Sequence, residues 1–118
     1  KTDTFRLGIP ACMRQSGDLA GSPGLILERE ARRRVELPEG AIVALRHLHL
    51  DRKTATEYGV QDRQKVSVEQ TGVRPVVMYQ VLVRVSEDFV PELHIDLDEA
   101  NACDLSSGDF VRILRHTK

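Results

Sequence analysis

The sequence predicts a mainly β fold: a small antiparallel β-barrel with short capping helices, preceded by the remnant of a second barrel unit. Three observations predict it. The chain matches itself when shifted by 45 residues, Leu48-His49-Leu50-Asp51 falling on Leu93-His94-Ile95-Asp96. The apolar residues in KVSVEQ and FVRIL alternate with polar ones, as in half-buried strands. Between the strand-like stretches there is room for only one or two helical turns, a pattern suited to barrels rather than helix bundles. Residues 1–40 are read as the C-terminal remnant of a preceding unit, and 41–118 as the barrel.

Taken in order, Phe5-Arg6-Leu7-Gly8-Ile9 resembles Thr56-Glu57-Tyr58-Gly59-Val60 at a shift of 51, which suggests a third, partial copy. The expectation is that residue 1 falls inside a unit whose first half lies outside the chain. SGDLAGSPG, residues 16–24, has the glycine, serine and proline content of a tight loop. GLILE and RRVEL then read as paired strands, and Glu36 to Gly40 as the turn into AIVALRHLHL. Asp51 is positioned to cap a helical turn over 52–58, and Asp96 one over 98–103. VVMYQVLVRV, residues 76–85, is rich in β-branched residues, with Val81, Val83 and Val85 on one face. The remaining repeat matches, Ala55 on Ala100, Tyr58 on Cys103 and Val68 on Ile113, continue through both copies.

Composition narrows the function. A net charge of -1 provides no positive field for nucleic acid or an anionic membrane, so neither is expected as a partner. No apolar run approaches the roughly 20 residues of a membrane-spanning helix. Cys12 and Cys103, the two cysteines, form neither a disulfide framework nor a C-x-x-C metal knuckle, and a reducing cytoplasm is the expectation. The basic run Arg32-Arg33-Arg34 is flanked by Glu28, Glu30 and Glu36 and reads as a solvated turn or strand edge.

The histidines carry the chemistry. On a strand His47 and His49 project to the same side, and two imidazoles so placed can hold one metal ion, with Zn–N distances of about 2.0–2.1 Å. Each histidine alone would be read as a surface or hydrogen-bonded residue. The repeat changes that, because it sets His94 at the position equivalent to His49. Three histidines with a fourth position open describe a catalytic zinc rather than a closed structural one. His116 reads as an exposed residue near the terminus. Arg46, the candidate catalytic residue, faces the other way on a regular strand but at a strand end can swing toward a phosphate. Ser16 and Ser22 offer hydroxyls to an anion, or else serve the turn. Cys12 and Cys103 read as small buried residues.

Several of these motifs, in order, resemble one family. SGDLAGSPG, RHLHL, YGVQD and VLVRVSEDFVPELHIDLDEANA look like the C-terminal half of the phosphate propanoyltransferases. The resemblance implies two small β-barrels and an enzyme exchanging an acyl group, propanoyl or acetyl, between coenzyme A and inorganic phosphate. It implies zinc, held in part by His47, His49 and His94, with Ser16 near the phosphate. Acyl-CoA and phosphate are the implied substrates. Transfer through an acylated Cys12 is the less favoured route. Further metal- and phosphate-binding residues would lie upstream of Lys1, so the chain alone is expected to be inactive. Many such enzymes work inside bacterial microcompartments that degrade propanediol, so a shell contact through an N-terminal segment is a further expectation, as is a homo-oligomer. The departures are at Arg63, where the family has glycine, and in LEREARRRVEL, where a glycine turn is replaced; Arg63 should need an unusual backbone conformation or a reshaped turn. The alternative is a non-catalytic barrel that binds a metal or ligand.

Overall fold

The computed structural model describes residues 1–30 and 33–114, and the chain divides into two compact units, Lys1–Leu45 and Arg46–Lys118. Arg32 and His116 lie outside the described residues.

The first unit holds helix α1 (Thr2–Leu7), the short strand β1 (Met13–Arg14), the hairpin strands β2 (Leu25–Arg29) and β3 (Arg33–Leu37), and β4 (Val43–Ala44). The expected pair GLILE and RRVEL is the antiparallel β2–β3 hairpin, with Leu25 opposite Leu37 and Leu27 opposite Val35. Arg33 and Arg34 are exposed on β3, and Arg34 pairs with Glu36. β1 runs parallel to β4. The loop at 16–24 is built around Ser22, whose buried hydroxyl donates to the Leu19 carbonyl at 2.7 Å and accepts from the Gly40 amide at 2.9 Å. Ser22 therefore serves the turn rather than an anion. Ser16 is exposed in the same loop.

The second unit is built of β5 (His47–Leu50), helix α2 (Arg52–Tyr58), β6 (Lys65–Gln70), β7 (Val76–Val85), β8 (Glu92–His94), helix α3 (Leu97–Ala102) and β9 (Arg112–Leu114). The strands form one curled sheet, a half-barrel, in the order β8-β5-β7-β6-β9. The mainly β, barrel-like reading holds. One pairing, β5 with β7, is parallel, and the others are antiparallel. The core lies on one face: Leu48, Leu50, Val66, Val68, Met78, Val81 and Val83 are buried, with Val85, Leu93, Ile95 and Ile113 packed against them. Alternation explains this, since Leu48 and Leu50 on β5 share a face that the intervening residues cannot reach.

The 45-residue repeat is a local two-fold relation. Leu48 lies directly opposite its repeat mate Leu93, and Val68 opposite its mate Ile113. Asp51 and Asp96 cap their helices alike, accepting from the Thr54 amide at 2.9 Å and the Glu99 amide at 2.8 Å. The helices also end alike. The Val60 amide reaches the Ala55 carbonyl and the Leu105 amide the Ala100 carbonyl, a Schellman closure. α1 repeats it at a shift of 51, Ile9 reaching Thr4. The closing residue is left-handed in all three: Gly8, Gly59 and, without glycine's freedom, Asp104 at φ 54°.

Two backbone irregularities shape the sheet. Arg63 takes φ 65°, a left-handed conformation, which is the first of the two outcomes expected there. Gln80 takes φ 59° in the middle of β7, where the register slips between Val66 opposite Val81 and Val68 opposite Met78. One extra residue is thus inserted in β7, and the exposed Tyr79 and Gln80 leave the buried row at Met78 and Val81 intact. Among the described residues no helix is long and apolar enough to cross a membrane.

Candidate metal centre

The histidine cluster follows from the β5–β8 pairing. His47 stands opposite His94, and His49 opposite Glu92. Directly opposed residues share a face, and so do residues two apart on a strand. His47, His49, Glu92 and His94 therefore occupy one face of the sheet while Leu48 and Leu93 fill the core on the other. Glu92 is the residue that sequence reasoning missed. The signal was present, because the shift of 45 that sets His94 on His49 also sets Glu92 on His47.

The rings are close. Centroids of His47 and His94 are 4.9 Å apart and nearly parallel, those of His47 and His49 also 4.9 Å apart, and those of His49 and His94 4.2 Å apart. His47 is buried and the other two are half-buried. The Nε2 atoms of His49 and His94 are shut away from solvent with no hydrogen-bond partner. Glu92 Oε2 lies 3.3 Å from His94 Nε2, within ion-pair reach but outside hydrogen-bond geometry. A buried polar nitrogen without a partner carries a desolvation cost of about 1–3 kcal/mol. Two of them in one histidine cluster fit a group that donates lone pairs to a cation, so the residues suit a metal. The rings pack against one another, and among the described residues no three His, Cys, Asp or Glu side chains are already set as a ligand group.

Electrostatics favour neutral imidazole at the centre. Burial, then the nearness of His94, His47 and Arg84, hold the His49 pKa below its ordinary value, with Glu92 opposing. Neutral imidazole is the form that binds metal. On its other side the His49 ring lies against Phe89, with centroids 4.0 Å apart and planes 7° apart.

Arg46 immediately precedes the cluster. Its guanidinium is 3.4 Å from Glu99 Oε2, and both side chains are about one-third exposed (34% and 28%). Burial raises the Glu99 carboxyl above its usual range, Arg46 pulls it back, and Asp96 adds to the rise. Arg46 is thus anchored to α3 by one nitrogen and retains further donors in a planar fork. Cys103 is buried, its thiol donating to the Glu99 carbonyl at 3.1 Å, and reads as structural; Cys12 is half-buried in the first unit. The sequence-derived residues thus divide: Arg46, His47, His49 and His94 belong to the second unit, and Ser16 to the first.

The family model for phosphate propanoyltransferase matches residues 1–106. Among curated relatives, a phosphate propanoyltransferase of Listeria monocytogenes is 44% identical over 117 residues, covering 99% of this chain and 54% of the relative. One of Thermotoga maritima is 44% identical over 115 residues, covering 97% of this chain and 54% of the relative. One of Clostridioides difficile is 40% identical over 114 residues, with the same two coverages, 97% and 54%. The chain spans about half the length of the curated relatives it matches.

Proposed function

This chain belongs to the phosphate propanoyltransferase family, and from that premise we propose that it forms part of a zinc-assisted phosphate acyltransferase. The reaction is exchange of a propanoyl or similar short acyl group between coenzyme A and inorganic phosphate, giving acyl phosphate and free thiol. The observation that carries the zinc reading is the face bearing His47, His49 and His94, with two buried ring nitrogens that lack partners.

His47, His49 and His94 would hold the metal. When bound, zinc supplies Lewis acidity for the thioester carbonyl and for the negative charge that grows on its oxygen. Arg46 contributes a fixed positive charge and free guanidinium donors, which orient a phosphate oxygen and offset its charge against the electron-rich carbonyl region. Glu99 holds the Arg46 guanidinium, so that it need not be ordered at each turnover. Ser16, in the first unit, is by the family resemblance a phosphate-side residue of the whole protein. Phe89 covers His49 and keeps water from that side of the cluster, which protects an acyl phosphate from hydrolysis. Propanediol-degrading microcompartments are the proposed setting, with shell contact and homo-oligomer formation as parts of the same proposal.

The test is thiol release from propanoyl-CoA in the presence of phosphate, in a protein carrying these residues over the full length of the relatives. His47→Ala and His94→Ala should each lower kcat/KM by at least about a hundredfold, and Arg46→Ala should raise KM for phosphate. The 118-residue chain alone is expected to release thiol far more slowly. Unchanged turnover in both histidine variants would reject the metal site, and no thiol release from the longer protein would favour the non-catalytic binding module.

A further inference from the structure

β7 ends at Val85, and the chain then folds back over the histidine face. The Ser86 amide donates to the Leu50 carbonyl at 3.1 Å, tying the turn to the end of β5. Within the turn the Phe89 amide donates to the Ser86 carbonyl at 3.1 Å and the Asp88 amide to Ser86 Oγ at 3.4 Å. β5 and β7 run parallel with His49 opposite Arg84, so this turn rises beside His49 itself. The Phe89 ring comes to lie flat on the imidazole, and the Arg84 guanidinium carbon stands 6.0 Å from the Phe89 centroid.

The torsion that spins an imidazole about its Cβ–Cγ bond is broad and two-fold, so packing or hydrogen bonding must choose its value. At Nε2 of His49 there is no hydrogen bond to make that choice. Packing remains: His94 and His47 meet the ring tilted by 38° and 46°, whereas Phe89 meets it within 7° of parallel. A flat aromatic neighbour at van der Waals distance resists that rotation more than a tilted one, because any turn of the imidazole drives an edge into the neighbouring face.

We propose that Phe89 is a positioning residue: stacked on His49, it holds that imidazole and its unbonded Nε2 in the orientation the histidine cluster uses to bind a divalent metal. This rests on the reading of the cluster as a metal site. Residues that orient metal-binding histidines typically change metal affinity by about 10–100-fold when replaced. They ordinarily act through a hydrogen bond, and here a ring face does the same work.

The test uses the 118-residue chain and its Phe89→Ala, Phe89→Leu and Phe89→Tyr variants, with far-UV circular dichroism to check folding. Carbon–proton NMR of the metal-free proteins reads the stack, since ring protons of His49 under an aromatic face are shifted upfield. Titration with cobalt(II), followed by its visible absorption, reads affinity. The upfield shift should be present in the parent and Phe89→Tyr and absent in the Ala and Leu variants. Cobalt affinity should fall about tenfold in Ala and Leu and stay within about twofold of the parent in Tyr. Loss of the shift with unchanged affinity would overturn the positioning role alone, as would Tyr behaving like Ala. A parent that shows no upfield shift would overturn the stack. A parent that shows the shift but takes up no cobalt would overturn the metal reading, and with it the purpose assigned to Phe89. If Phe89→Ala fails to fold, the Leu and Tyr pair carries the same comparison.

Discussion

Acid should weaken the fold through His49, and replacing that residue should remove this part of the effect. Burial and the neighbouring His94, His47 and Arg84 hold its pKa below the ordinary 6.5. The unfolded chain therefore takes up a proton near pH 6.5 that the folded chain resists. The sign follows: stability from this source is complete above about pH 6.5 and is lost as the pH falls below it. Had folded His49 taken up no proton at all, the difference between pH 6.5 and 5.5 would be about 1 kcal/mol, which is the upper bound on the effect. His49 is only half-buried and exposed to solvent screening, so the loss over that interval stays below that bound. The assay is urea unfolding followed by far-UV circular dichroism, since the chain has no tryptophan, at about pH 7.5, 6.5 and 5.5. The parent is compared with His49→Gln, so that contributions from groups not coupled to His49 cancel in the difference. Equal loss of stability in both proteins, or a parent that gains more stability in acid than the variant, would refute the reasoning.

Val81 is fully buried on the central strand, so Val81→Ala should cost about 2–3 kcal/mol by the same urea assay, two methyl groups of transfer plus a cavity. Val76, 39% exposed at the start of that strand, should cost under about 0.5 kcal/mol as alanine. Asp96→Ala removes the cap of α3 and should cost about 1 kcal/mol, while Asp96→Asn should retain most of it in thermal unfolding. At Gly24 a Cβ would sit 2.5 Å from the Leu37 carbonyl oxygen, so Gly24→Ala should displace the β2–β3 hairpin at a cost of about 1–3 kcal/mol, seen as faster amide exchange along β3.

Most of the second unit was legible because its signals are local. Asp51 and Asp96 each precede a helical turn, and the valines of β7 alternate onto the core. The shift of 45 matched Leu48 to Leu93 before any pairing was known. The parallel neighbour of β5 was not legible, since which strand lies beside which is decided by long-range packing rather than by local pattern. Gln80 could not be foreseen at positive φ: glutamine carries no turn signal, and the bulge serves the register of a neighbouring strand. At Arg63 the resemblance, with glycine at that position, left an unusual conformation and a reshaped turn both open, and the structure takes the first. At the site, the histidines were readable from H-x-H and the repeat. Glu92 needed only one more step along the same alignment. Phe89 could not be found that way, since an apolar residue in a turn gives no sign of which ring it will cover.

The histidine cluster is assembled from two strands of unequal security. β5 lies inside the sheet with a neighbour on each side, whereas β8 is three residues long and forms the rim. Fraying begins at such rims, where few bonds must break, and requires far less free energy than global unfolding. His94 therefore leaves His47 and His49 during small excursions that leave the valine core closed. The cluster melts before the sheet does, and any ligand bridging both strands acts as a clasp whose grip slows the exchange of the β8 amides with solvent.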